Sequence, residues 1–161
     1  MPTPTTTLPD DLLHLALTNH FDVIIHGCNC QCIMGKGIAL SIKNQFAEAY
    51  AADCATPKAD PAKLGTISTA EIHRPPARFT VVNAYTQFHY RGDGPLADYD
   101  AIRRAFRQIR HQFPGRRIGY PKIGAGMAKG DWPTIAKIIE EELAGENHAL
   151  VEYEPPAQRA E

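Results

Sequence analysis

The 161-residue chain has no apolar run approaching the roughly 18 residues that a membrane-spanning helix needs, so no such span is expected. It also lacks an excess of either charge: Lys and Arg total 17, Asp and Glu 18, for a formal net charge of −1. No overall field therefore draws it to nucleic acid or to an anionic membrane, and any phosphate it binds must be held by a local site. Residues 1–8 have neither a basic start nor an apolar stretch, which predicts no signal peptide and a cytoplasmic protein. The four cysteines do not form a spread-out disulfide framework, because Cys28, Cys30 and Cys32 crowd together; they read as reduced thiols. His26 and these cysteines are spaced two apart, but no second, distant ligand pair accompanies them, so no metal is expected. The ordered G-x-G-x-x-G of a dinucleotide fold is missing, and Gly35-Lys36-Gly37 is followed by Ile38 where a P-loop would have Ser or Thr.

What is present alternates between strand and helix signals. Asp10-Asp11 ahead of Leu12, Leu13, Leu15 and Leu17 predicts a capped first helix. Residues 21–26 (Phe-Asp-Val-Ile-Ile-His) form a short β-branched run that reads as a strand buried on both faces, which requires a sheet covered by helices. A glycine-bearing loop follows, then Ile38, Ile42, Phe46 and Ala49 at helical steps. Residues 54–63, with Pro57 and Pro61, predict a loop. Strands are expected at 65–72 and 79–86, with Pro75-Pro76 ending the first. Tyr99, Ile102, Phe106, Ile109 and Phe113 mark an amphipathic helix whose Arg103, Arg107 and Arg110 read as its solvated face. A short strand at 117–120 feeds a second glycine loop, residues 121–130; Asp131 then caps a helix carrying Ile135, Ile138, Ile139 and Leu143, and 148–153 predicts a last strand. The expected organisation is a mobile arm at 1–9, one three-layer α/β/α domain with a mixed sheet at 10–153, and a fraying tail at 154–161.

Both glycine loops lie where a strand runs into a helix, the position from which backbone N–H groups and a helix dipole can hold an anion. Gly35, Gly37, Gly124, Gly126 and Gly130 permit close approach, and two facing loops suit a diphosphate better than a single phosphate. Asn29, coming off the buried strand, can donate to and accept from a pair of sugar hydroxyls, and His26 carries an imidazole able to move a proton near neutral pH. His26 can equally be a core histidine bonded within the fold.

Taken in order, Asp11-Leu12-Leu13, the segment Asp22-Val-Ile-Ile-His-Gly-Cys-Asn29, Met34-Gly-Lys-Gly-Ile-Ala39 and Pro121-Lys-Ile-Gly-Ala-Gly126 resemble the macrodomain family over residues 10–153. Residues 25–30 and Gly130-Asp131-Trp132 are most similar to the branch holding ADP-ribose 1″-phosphate phosphatases and terminal ADP-ribose glycohydrolases. The resemblance implies that Asp11 accepts from the adenine amino group and that Asn29 holds the distal ribose. It implies further that the backbones of Gly35, Lys36, Gly37 and Ile38 and of Gly124, Ala125, Gly126 and Met127 cradle the diphosphate. His26, Asn29 and Asp131 are the catalytic candidates, Asp131 either orienting a water or simply capping its helix. The chain departs from the branch's glycohydrolases, which use a lysine after the central strand: here the segment reads Asn83-Ala-Tyr-Thr-Gln87, and Ala128 stands where some have an aspartate.

The expected function is thus hydrolysis of an ADP-ribose derivative by a monomer without cofactor, first as an ADP-ribose 1″-phosphate phosphatase. The alternatives are a glycohydrolase acting on ADP-ribosylated DNA or protein, and a non-catalytic ADP-ribose reader.

Overall fold

The central strand, Val23–Asn29, is apolar on both faces because both are covered: Val23 and Ile25 enter one core cluster, while Ile24 enters another. The computed structural model describes residues 6–153. Along these the elements are β1 (Thr6–Asp10), α1 (Leu12–Leu17), β2 (Val23–Asn29), α2 (Gly37–Gln45), α3 (Ala47–Cys54), β3 (Ile67–Arg74), β4 (Ala77–Gln87), α4 (Tyr99–Gln112), β5 (Ile118–Tyr120), α5 (Trp132–Glu142) and β6 (His148–Tyr153). The six-stranded sheet runs β1-β6-β5-β2-β4-β3, parallel throughout except for the β3–β4 hairpin, so it is mixed.

Ile102, Phe106 and Ile109 of α4 and Ile135, Ile138 and Ile139 of α5 cover one face. Leu12, Leu13 and Leu15 of α1, Ile42 of α2 and Phe46 between α2 and α3 cover the other. The arginine face of α4 is not simply solvated: Arg103 reaches Glu141 at 3.1 Å and Glu142 at 2.8 Å, and Arg107 reaches Glu142 at 3.2 Å, clamping α4 to α5.

Two segments differ from the sequence reading. The expected arm at 1–9 overlaps the edge strand β1, Thr6–Asp10, which lies in parallel register with β6, Leu8 opposite Val151. Leu8 packs on the core, and Pro9, which has no N–H to donate, is tolerated because the strand is at an edge. The first part of that arm and the expected tail at 154–161 lie outside the described residues. The helix read through Ile38–Ala49 is broken at Phe46, whose φ of −129° and ψ of 75° leave the helical region as its ring turns inward against Phe79.

The β2–β4 register sets His26 directly across from Asn83. Asn83 Nδ2 donates to the Ala49 carbonyl and to Ser68 Oγ, both at 3.0 Å, which leaves Oδ1 facing His26; Nε2 of His26 donates to it at 2.6 Å. His26 is fully buried, and burial outweighs that bond, pushing its pKa down to about 4. The unfolded chain, with an ordinary histidine pKa of about 6.5, therefore binds more protons than the fold between those values. Stability carried by neutral His26 is complete above pH 6.5 and is lost as pH falls to about 4, on the order of 3 kcal/mol across the window. His148, also lowered by burial, acts in the same direction, so the comparison must be between variants. In urea titrations His26→Gln is expected to be about 1–3 kcal/mol less stable at pH 7 and to converge on the parent at pH 4. An unchanged gap across that range would show that His26 is not the titrating group.

Candidate functional site

The carboxyl ends of β2 and β4 and the loops after β2 and β5 enclose a groove, where an open α/β sheet is expected to bind its ligand. It has two adjoining sections. One, of about 430 Å³, is lined by Asp11, Leu12, Ser41, Gln45 and Tyr153 among others. The second, of about 520 Å³, is bordered by Asn29, Gln87, Tyr90, Arg91 and the two glycine loops. Gly37, Ile38 and Pro121 border both, so the loops form the waist of one continuous groove.

The first loop ends at the start of α2, and Lys36 at the N-cap position makes no side-chain cap. The N–H groups of Gly37, Ile38 and Ala39 have no partner inside the helix and border the groove, with the helix dipole behind them. Gly37 holds φ of +59°, which lets the loop turn into the helix without strain. The second loop is closed by the Gly130 N–H donating to the Gly124 carbonyl at 2.7 Å; a Cβ on Gly130 would lie 2.5 Å from that oxygen. Gly126, Met127 and Ala128 then border the groove from the opposite side. Ala125 does not share this placement: it is half-buried and packs on the α4–α5 core, so only its neighbours are brought to the groove.

Asp11 caps α1, its Oδ1 accepting from Leu13 N at 2.9 Å and His14 N at 3.4 Å, which points the carboxylate at the end of the first section. Asn29 is 9% exposed and borders the second. Its Oδ1 accepts from Gln31 N and its Nδ2 donates to the Ile33 carbonyl, each at 2.8 Å. One hydrogen and one lone pair remain, and the local bonds fix their direction.

Two of the catalytic candidates stand elsewhere. His26 has no exposed surface; its side chain lies on the α3 face of the sheet, with Asn83 and with Cys28 Sγ at 3.5 Å, so the expectation that it acts on the ligand is corrected. The groove is bordered by the end of β2, Gly27 to Asn29, and His26 lies one step deeper in the sheet. Asp131 is the N-cap of α5, its Oδ2 accepting from Thr134 N at 3.1 Å and Thr134 Oγ1 at 2.5 Å, and it does not border the groove. Burial drives the Cys28 thiol well above its ordinary pKa, so it stays protonated and unreactive.

The sequence reading missed Gln87, Tyr90 and Arg91. The β2–β4 register pairs Asn29 with Gln87, so the segment after β4 leaves the sheet beside the asparagine. A strand ending in polar and aromatic residues next to a predicted ligand asparagine was the available signal, but pairing was needed to use it.

Residues 25–139 match the family model described as Macro domain. An uncharacterised 17.5 kDa protein of the tk-vs intergenic region of Enterobacteria phage T4 is 32% identical over 138 residues, 82% of this chain and 86% of that protein. A DNA ADP-ribosyl glycohydrolase of Mycobacterium tuberculosis is 26% identical over 117 residues, 71% of this chain but only 32% of the mycobacterial protein. Among solved structures, the macrodomain of Mycobacterium tuberculosis DarG superposes with a TM-score of 0.70 at 16% identity, covering 91% of this chain and 97% of that one, a likeness of fold. The family match over most of the domain, the phage relative and the shared fold agree with the two-loop groove: this chain belongs to the macro domain family.

Proposed function

We propose that the chain binds ADP-ribose along the groove and hydrolyses the phosphate ester of ADP-ribose 1″-phosphate. The observation that carries this reading is the chemistry of the second section. Lys36, Arg91 and Lys122 border it, Lys122 already paired with Glu152; the first residues of α2, whose N–H groups have no helical partner, border it too, and among the described residues no carboxylate does. Such a section favours a polyanion. With the base beside Asp11 and the diphosphate at the waist, the distal ribose falls at Asn29 and Gln87.

Hydrolysis of a phosphate monoester asks the protein chiefly for positioning and charge stabilisation, because its transition state is loose and spreads charge over the phosphate oxygens. Water attacks phosphorus, the bond from phosphorus to the ribose oxygen breaks, and ADP-ribose and inorganic phosphate leave. Asn29 holds the ribose hydroxyls, and the cations offset the charge of the phosphate. The attacking water passes its proton to a phosphate oxygen of the substrate, a route that asks nothing of the buried His26. Cleavage of a glycosidic bond usually employs paired carboxylates, and Gln87 stands in the segment where the branch's glycohydrolases have lysine. One observation supports that second reading: the mycobacterial relative is named a DNA ADP-ribosyl glycohydrolase, and the same ribose grip would serve it.

Calorimetric titration with ADP-ribose is expected to show one site, and Asn29→Ala to weaken it about 10- to 100-fold, roughly 1.4–2.8 kcal/mol, with the melting temperature measured alongside. Undiminished affinity in that variant would remove the asparagine from the site. Phosphate release from ADP-ribose 1″-phosphate, assayed on the same protein, is expected to persist in His26→Gln with kcat/KM within about five-fold of the parent at pH 7.5. Free ADP-ribose released from a modified oligonucleotide, with no phosphate release from the monoester, would replace the phosphatase reading with the glycohydrolase one.

A further inference from the structure

The segment after β4 is tied into the fold by several hydrogen bonds, although no helix begins there. The Phe88 carbonyl accepts from Cys30 N at 2.9 Å and from Gln31 Nε2 at 3.1 Å, tying the segment to the loop after β2. Gln87 Nε2 donates to the His89 carbonyl at 2.8 Å. The N–H groups of Tyr90 and Arg91 both donate to His89 Nδ1, at 3.0 and 3.2 Å, and the His89 and Tyr90 rings lie 4.6 Å apart. These bonds turn the chain so that Tyr90 and Arg91 border the groove.

Arg91 is unlike the arginines that build the fold. Arg74, Arg103, Arg104, Arg107 and Arg117 each hold a carboxylate at 3.2 Å or less. The Arg91 guanidinium instead donates to Tyr90 Oη at 3.3 Å and lies 4.9 Å from the centroid of that ring. Stacking and one bond to a neutral hydroxyl orient the planar fork, and among the described residues no carboxylate pairs with it, the state in which an arginine receives a phosphate.

Its place along the groove decides which phosphate. The groove has a direction: Asp11 at one end, the loops at the waist, and Asn29 with Gln87, Tyr90 and Arg91 in the section beyond. A ligand with its base at Asp11 and its diphosphate between the loops brings its terminal ribose to Asn29. Whatever that ribose carries then extends toward the segment that Gln87 begins. We propose that Arg91, braced by Tyr90, is the specificity-determining residue for a phosphate carried on the terminal ribose. The assignment rests on the ADP-ribose reading given above. A terminal monoester and a phosphodiester of a modified nucleic acid strand offer the same chemistry to the guanidinium.

The test compares ADP-ribose, ADP-ribose 1″-phosphate and an ADP-ribosylated single-stranded deoxyoligonucleotide on the parent, Arg91→Ala and Arg91→Lys. Calorimetry gives Kd for ADP-ribose, and kcat/KM, or Kd where nothing turns over, is taken for the other two. Arg91→Ala is expected to leave ADP-ribose affinity within two-fold while lowering the value for a phosphate-bearing ligand at least ten-fold. Arg91→Lys, which keeps the charge and loses the fork, is expected to fall between. Loss on the monoester alone assigns a terminal phosphate, and loss on the oligonucleotide assigns a phosphodiester. Equal effects on all three ligands, or none, overturn the proposal. A parent protein that fails to bind ADP-ribose is a separate result, which removes the reading beneath it. Arg91 is exposed on a loop, so the variants are expected to keep the parent's melting temperature, and that measurement excludes unfolding as the cause.

Discussion

Everything in the groove depends on the register of β2 against β4. A slip of one residue would exchange the two faces of β2, sending Ile24 and His26 to the α4–α5 side and Val23 and Ile25 to the other. Apolar residues alone discriminate poorly here, since both faces of the strand are buried and β-branched. The polar pair does discriminate. Any shift leaves Asn83 Oδ1 and the His26 N–H unsatisfied inside the protein, at a cost of about 1–3 kcal/mol for each group. The pair has third and fourth partners, Ser68 on β3 and the Ala49 carbonyl in α3, so one asparagine fixes β2, β3 and α3 against β4. The same register places Gln87 beside Asn29, which gives the groove its far end. His26 thus serves the site by holding the strand that carries Asn29.

The groove's direction then follows from the order of the chain. β2 and β4 run parallel and end together, and the loops leaving β2 and β5 rise on either side of a shared waist. α2 begins at that waist without a side-chain cap, whereas Asp11, Asp98 and Asp131 cap α1, α4 and α5. An uncapped helix start that borders a groove leaves N–H groups to a ligand, where a capped one spends them on the fold.

How much of this could be read from residues alone varies with the kind of signal. β2 and α4 were legible because burial on two faces and a 3.6-residue period are strong patterns, and the glycine loops because they follow strands. β1 was not: Thr6, Thr7 and Pro9 have no alternation to offer, and the strand exists because β6 presents a free edge and Leu8 finds the core. The break at Phe46 was hidden because its apolar spacing suits one helix; packing against Phe79 decides otherwise. For His26 and Asp131 the residues alone left a chemical and a structural role open, and burial and capping favour the structural one. Composition identifies a group able to do chemistry, but only its depth in the sheet and its capping geometry say what it can reach. Arg91 escaped notice because its meaning lies in a pairing between Asn29 and Gln87, far apart in sequence.

A chain of net charge −1 can nevertheless present a cationic cleft, because many of its carboxylates are engaged elsewhere in the fold. Asp11, Asp98 and Asp131 accept from backbone N–H groups at helix starts. Asp22 holds Arg117 at 2.8 Å, a pairing that lowers its pKa, and Glu142 joins Arg103 and Arg107 between α4 and α5. Asp53, on the buried face of α3, is sealed beside Lys63 and Tyr85. Even at the groove, Lys122 is drawn to Glu152 at 2.6 Å on β6, away from the centre. What remains facing the second section is Lys36 from one side and Arg91 from the other, on a backbone that offers N–H groups. Local placement of charge, which an overall sum conceals, leaves the second section of the groove cationic. The cationic character is greatest past the waist, where no carboxylate borders the groove among the described residues, and less at the other end, where Asp11 stands.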